Sequence, residues 1–216
     1  MRKFISISGS FDDVRRHDNL IKNNPVLVQG LGLTVVIFSA TTLRNAAILS
    51  TAMLLLCVGT HLVCHIVARP FPYRLRMMVY ALVSAALYVP VLHVLLWAFG
   101  GENGIGPLLS FLPLTVVDTM ILAESEKVKW ERLPERLRHS VTLGLGFALA
   151  ALLAGALREL GATGTLLGVL ILKQPPLPLL STPIGGFIVM ALLSALLQAF
   201  LNLYKKTLAR RKKLVQ

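Results

Sequence analysis

The chain has 216 residues, 55% of them hydrophobic and 15% charged, with a formal net charge of +12. Charged residues make up about a quarter of an ordinary soluble domain, so this composition excludes that class and points to an integral membrane protein. Nucleic-acid binding is excluded as well, because the basic residues flank the apolar stretches instead of forming an aromatic-interleaved face.

In chain order, a polar tail covers 1–24, and Met1-Arg2-Lys3-Phe4-Ile5-Ser6 turns polar before any apolar core develops, which is not the pattern of a cleavable signal. A spanning helix needs ~20 mostly apolar residues. Six such stretches are expected, at about 25–43, 45–67, 74–98, 107–123, 140–160 and 183–204, followed by a basic tail at 205–216. The expected fold is an all-α membrane protein. Its six helices form two three-helix repeats, at about 25–98 and 107–204. An odd number of helices per half inverts the second half relative to the first.

Spans 1 and 4 are the shortest and the most interrupted. Leu31-Gly32-Leu33-Thr34-Val35-Val36 recurs as Leu112-Pro113-Leu114-Thr115-Val116-Val117. Gly30 and Gly32 break the first copy and Pro113 breaks the second. Interrupted segments at matching places in two halves predict broken half-helices that meet near the membrane midplane, at a functional site.

With the N-terminus inside, 19 of the 22 basic residues fall on inward segments, and only Arg44, Arg158 and Lys173 do not. That bias predicts both termini in the cytoplasm, with the basic C-terminal tail on anionic lipid.

Span 2 carries Cys57, His61, Cys64 and His65 at i, i+4, i+7 and i+8, one helix face. Such a stripe could bind a metal; the alternative is helix packing, with Cys as a small hydrophobe. The two cysteines lie a rise of ~10 Å apart, too far for a disulfide. His93 in span 3 is expected as an interior histidine. Asp118 is the acidic residue well inside a span, and intramembrane carboxylates are functional candidates by default. With Thr115 and Thr34 supplying oxygen, it is a candidate ion or proton site; the alternative is a carboxyl capping a half-helix. In span 5, Gly144, Ala148, Ala151 and Gly155 have helix-packing spacing. Arg158 and Glu159 fall at its outer end, as a helix-end arrangement. Gly161-Ala162-Thr163-Gly164-Thr165 reads as a turn in preference to a flavin-attachment motif, and Gln174-Pro175-Pro176-Leu177-Pro178 as an outer loop. The sequence has neither a GxGxxG nor a Walker motif nor a ferredoxin-type cysteine run.

Several of these phrases are similar to one family. Lys22-Asn23-Asn24-Pro25-Val26-Leu27-Val28-Gln29 before Leu31-Gly32-Leu33 resembles the start of the E/D-type membrane subunit of Rnf and NQR complexes. Gly144-Leu145-Gly146-Phe147-Ala148-Leu149-Ala150, Gly155-Ala156-Leu157-Arg158-Glu159-Leu160 and Gly164-Thr165-Leu166 fit the same family. The resemblance runs from about 20 to 200. It implies a six-span subunit of a bacterial cytoplasmic (inner) membrane, paired with a homologous sister subunit of opposite orientation. The pair would share a 2Fe-2S iron–sulfur cluster and work beside flavin- and iron–sulfur-bearing subunits. Such complexes couple electron transfer, between ferredoxin and NAD or from NADH to quinone, to Na⁺ or H⁺ translocation.

One departure qualifies that expectation. Where the family places its two cluster cysteines, this chain has Thr34 and Thr119, the latter after Asp118. Iron–sulfur clusters take thiolates. The resemblance therefore implies the fold with an altered cofactor site. The rival expectation is a redox-inactive ion transporter or scaffold on the same fold.

Overall fold

A computed structural model describes residues 22–68, 70–127, 132–173 and 177–214. The Gln174–Pro176 part of the expected outer loop lies outside the described residues. Among the described residues the regular elements are helices, apart from one two-stranded hairpin.

Asn24 opens the described segment as a buried turn, its Oδ1 accepting the N–H groups of Val26 and Leu27 at 3.0 Å each. Irregular backbone runs through Gly30 and Gly32, both with φ of +73°, before α1 (Leu33–Ser39) begins. α2 (Leu43–Val67) follows immediately. The Thr42 side chain caps it, accepting the Asn45 N–H at 3.2 Å. α3 (Tyr73–Phe99) carries Pro90 in its interior. A second interrupted stretch then combines α4 (Glu102–Leu109), a 3₁₀ turn (Leu112–Thr115), α5 (Thr119–Ala123) and a further 3₁₀ turn (Glu124–Lys127). α6 (Leu133–Thr163) ends at Gly164, φ +72°, which starts the hairpin β1 (Thr165–Leu166) and β2 (Val169–Leu170), pairing Thr165 with Leu170 and Leu166 with Val169. A 3₁₀ turn (Pro178–Ser181) leads into α7 (Pro183–Leu214).

Among the described residues four helices, Leu43–Val67, Arg74–Phe99, Leu133–Thr163 and Pro183–Tyr204, are long and apolar enough to cross a membrane. The first and fourth expected spans are instead the interrupted stretches. α6 starts at Leu133, earlier than the expected 140, because Pro134 and Glu135 suit a first helical turn although the segment is charged. Likewise, α7 continues as helix through most of the expected basic tail.

α2 and α6 pair at the centre of the fold, with α3 against α2, and α7 against α1 and α6. The small residues expected to allow this do so. A Cβ on Gly155 would lie 2.7 Å from the Ala46 Cβ and 2.8 Å from the Thr42 carbonyl oxygen. Gly144 faces Leu54, and Ala151 is fully buried. The apolar core includes Val36, Ile37, Leu49, Met53, Leu56, Phe147, Ala150 and Met190. α3 and α7 turn Leu82, Trp97, Leu192 and Leu196 outward, as helices facing lipid or protein do.

Candidate functional site

The two interrupted stretches meet. Gly32 is the residue before α1, and its left-handed backbone sends its N–H to Thr119 Oγ1 at 3.2 Å, at the start of α5. A Cβ on Gly32 would stand 2.9 Å from the Phe147 ring and 3.4 Å from Asp118 Oδ1, so glycine is required for space as well as for conformation. Asn24 ties the same region to α6 by donating from Nδ2 to the Gly146 carbonyl at 2.8 Å.

The repeated phrase folds in two ways. Leu33-Thr34-Val35-Val36 forms the first turn of α1, whereas Leu112–Thr115 is a 3₁₀ turn with Pro113 in its first positions. The helix after the second break starts at Thr119, capped by Asp118. Thr34 and Thr119 thus both occupy the opening turn of a post-break helix, and both are exposed on the surface of the chain.

Asp118 is buried, and its Oδ1 accepts the Met120 N–H at 2.7 Å as the N-cap of α5. Thr115 is fully buried and donates to the Leu112 carbonyl at 2.6 Å. Both are enclosed by protein and bonded to their own segment, whereas Thr34 and Thr119 open onto the surface.

Arg158 and Glu159 brace the other end of α1. Arg158 is 1% exposed. Its guanidinium donates to the carbonyls of Ile37 (2.7 Å) and Ala40 (3.1 Å), where α1 ends, and to those of Leu180 (3.0 Å), Ser181 (3.4 Å) and Thr182 (3.1 Å). Glu159 Oε2 accepts the Leu43 N–H, 2.7 Å away, at the start of α2. Adjacent residues of α6 thereby satisfy the orphan carbonyls of one helix and an orphan donor of the next.

Cys57, His61, Cys64 and His65 are all buried along α2, and both cysteines are free thiols. Cys57 Sγ is 3.6 Å from His61 Nδ1, and that nitrogen meets Ser140 Oγ at 2.5 Å. Among the described residues no three His, Cys, Asp or Glu side chains converge as a metal site. His93 is not interior: it lies on the exposed face of α3 and donates from Nδ1 to the Val89 carbonyl at 2.9 Å.

Sequence reading missed Ser140, Tyr80 and Arg136, which form a buried polar patch with His61. Arg136 donates to the Tyr80 hydroxyl and lies over its ring. Arg136 read as an inner-loop charge because hydropathy starts the span at about 140; Pro134 and Glu135 are the signal that α6 reaches back to Leu133.

Long apolar helices around two interrupted segments, joined at a glycine that admits no side chain, define a polytopic helical membrane protein. The chain belongs to the Rnf-Nqr family, described as "Rnf-Nqr subunit, membrane protein", whose profile matches residues 15–201. It is 36% identical over 149 residues to the E-type subunit of the ion-translocating oxidoreductase complex of Shewanella oneidensis, covering 68% of this chain and 63% of that relative. It is 34% identical over 194 residues to the counterpart in Shewanella sp. strain ANA-3, covering 82% of each. Against the counterpart in Aliivibrio fischeri strain MJ11 it is 35% identical over 158 residues, covering 69% of this chain and 68% of the relative.

Proposed function

We propose that this chain is a membrane subunit of an ion-translocating electron-transfer complex, acting there as scaffold and ion-handling surface without carrying a cluster itself. The relatives, named as E-type subunits of ion-translocating oxidoreductase complexes, support the first part of this reading. The observation that carries it is the junction at Gly32 and Thr119, which leaves Thr34 and Thr119 exposed on the outside of the chain, where a second subunit can cover them. Spans 1 and 4 are then the interrupted stretches, entering an inner membrane from opposite sides as halves of an inverted repeat, with both termini cytoplasmic. The partners are a homologous six-span sister of opposite orientation and flavin- and iron–sulfur-bearing subunits. The reaction is of the ferredoxin/NAD or NADH/quinone type, coupled to Na⁺ or H⁺.

The iron–sulfur cluster that the resemblance implies does not fit the residues at this junction. Thr34 and Thr119 offer neutral hydroxyls where thiolates are needed. Asp118 is committed to capping α5, and the two thiols of the chain are buried on α2. The electron path of such a complex accordingly does not use ligands from this chain.

The test is to tag the C-terminus, purify gently from native membrane and identify the co-purifying proteins by mass spectrometry. A six-span sister together with flavin and iron–sulfur subunits is the expected result. Recovery of the chain alone, or as a homo-oligomer, would overturn the subunit reading. The redox-inactive transporter would then be favoured, on the buried Asp118 carboxylate beside the junction.

A further inference from the structure

The connection between α6 and α7 is apolar where a surface turn is ordinarily polar. From Thr163 to Thr182 the sequence carries a single charged residue, Lys173. The hairpin β1–β2 within it is tied at its base to the Gly164 carbonyl, which accepts the N–H groups of Ile171 and Leu172 at 2.9 Å each. A Cβ on Gly164 would stand 2.6 Å from the Leu172 carbonyl oxygen, on a backbone of φ +72°. Backbone thus fixes the hairpin to the end of α6, and its apolar side chains stay outside. Leu167, Val169 and Leu170 are each 66% exposed, and Ile171 and Leu172 are exposed beside them. A contiguous apolar patch of this kind marks a surface that meets something other than water.

The tip is unusual in conformation as well. Leu166 pairs with Val169, so the loop is Leu167-Gly168 alone. Both residues have positive φ, +52° and +82°. A two-residue turn of that kind favours Asn-Gly, because asparagine tolerates the left-handed region far better than leucine. Among the described residues Leu167 is the one non-glycine with positive φ. Backbone conformation and water both favour a polar residue there, so the leucine answers to a contact outside the chain.

The level of the hairpin relative to the two helices identifies that contact as lipid. Gly161, in the last turn of α6, and Gly185, in the first turn of α7, both close on Leu180. The Leu177 N–H donates to the Gly161 carbonyl at 3.0 Å. The two helix ends therefore stand level. The apolar span of α7 begins at Pro183. A membrane that α7 crosses accordingly has its boundary at the last turn of α6, and the hairpin starts at Thr165, one turn further on. Exposed Leu177, Ile184 and Phe187 carry an apolar surface from the connection onto α7. A two-stranded sheet has outer edges without ladder partners. Those edges need water or headgroups, which sets the hairpin in the interfacial zone and not deeper. Lys173, directly after the apolar run, supplies a cation at the level of lipid phosphate.

We infer that the β1–β2 hairpin is an interfacial lipid anchor. Leu167 and its neighbours insert at the boundary between headgroups and acyl chains, in the leaflet next to the end of α6. The anchor holds the ends of α6 and α7, and with them the Arg158 brace, at a set depth in the bilayer. It does not depend on redox partners.

The experiment is site-specific photo-crosslinking in native membrane. p-Benzoylphenylalanine replaces Leu167 in one variant of the tagged chain and Val169 in another, so that the result does not hang on the strained position alone. Intact membranes are irradiated, the chain is purified under denaturing conditions, and the hairpin peptide is analysed by mass spectrometry. Phospholipid adducts at both positions are the expected product. A protein adduct in place of lipid at either position would overturn the proposal and make the hairpin a subunit contact. Peptide with no lipid adduct would overturn it too, leaving a water-exposed turn. Leu167→Asp, combined with the probe at Val169, is expected to lower the lipid-adduct yield about fivefold or more, because a carboxylate resists entry into the acyl region. An unchanged yield would overturn insertion by the tip. Loss of redox partners in the purification described above bears on the subunit reading and not on the hairpin.

Discussion

The Gly32 N–H and the Thr119 hydroxyl oxygen meet at 3.2 Å across 87 positions of sequence, joining the two interrupted segments. The bond forms because Gly32 adopts a left-handed backbone and has no side chain to hold Phe147 and Asp118 away.

Gly32→Ala is the direct test of that junction. The new methyl group would sit 2.9 Å from the Phe147 ring, on a backbone of φ +73°. Left-handed strain and overpacking together predict a loss of about 2–4 kcal/mol. The readout is the thermal midpoint in detergent, expected to fall by several degrees. Adding Phe147→Leu should recover only the steric part, because the backbone strain remains.

Arg158 predicts a larger effect. Its side chain supplies five carbonyls from two chain segments, and an uncharged replacement withdraws that donor from all five, with the Thr182 carbonyl keeping the Gly186 N–H at 3.2 Å. Arg158→Met is expected to cost about 3 kcal/mol or more. Arg158→Lys should fall between, since a point charge cannot reproduce the fork. Limited proteolysis near Ala40 and Ser181, together with the thermal midpoint, would register both.

These two residues also mark how far the sequence could be read. Helices α2, α3, α6 and α7 were legible because each is a long apolar run, and hydropathy reports such runs directly. The early start of α6 at Leu133 was not, because hydropathy measures what suits lipid and a helix can continue through charged residues. The breaks at Gly30, Gly32 and Pro113 were visible, but their local forms were not. The same letters make a helix at Leu33 and a 3₁₀ turn at Leu112, where proline replaces glycine. The carbonyl partners of Arg158 and the link between His61 and Ser140 depend on which helices become neighbours, and no local pattern encodes that.

Thr34→Cys combined with Thr119→Cys tests whether ligand chemistry alone keeps this chain from holding the cluster that the family resemblance implies. Both positions are exposed and open a helix after a break, so the exchange should disturb the fold little. In the assembled complex supplied with iron and sulfide, the double variant is expected to gain visible absorbance and an electron paramagnetic resonance signal beyond that of either single variant. Absence of any new signal would show that the surroundings have diverged along with the ligands.

Asp118 separates a helix cap from an ion site. Its Oδ1 accepts the Met120 N–H at 2.7 Å, a bond that an asparagine carbonyl can also accept. Asp118→Asn should therefore leave stability within about 0.5 kcal/mol of the parent, while Asp118→Ala should lose about 1 kcal/mol. Ion movement by the reconstituted complex responds differently. A carboxylate that carries Na⁺ or H⁺ is lost in both variants, so both are expected to stop transport although only one is destabilised. If Asp118→Asn translocates at the parental rate, the carboxylate is only a cap, and the ion route must lie elsewhere in the complex.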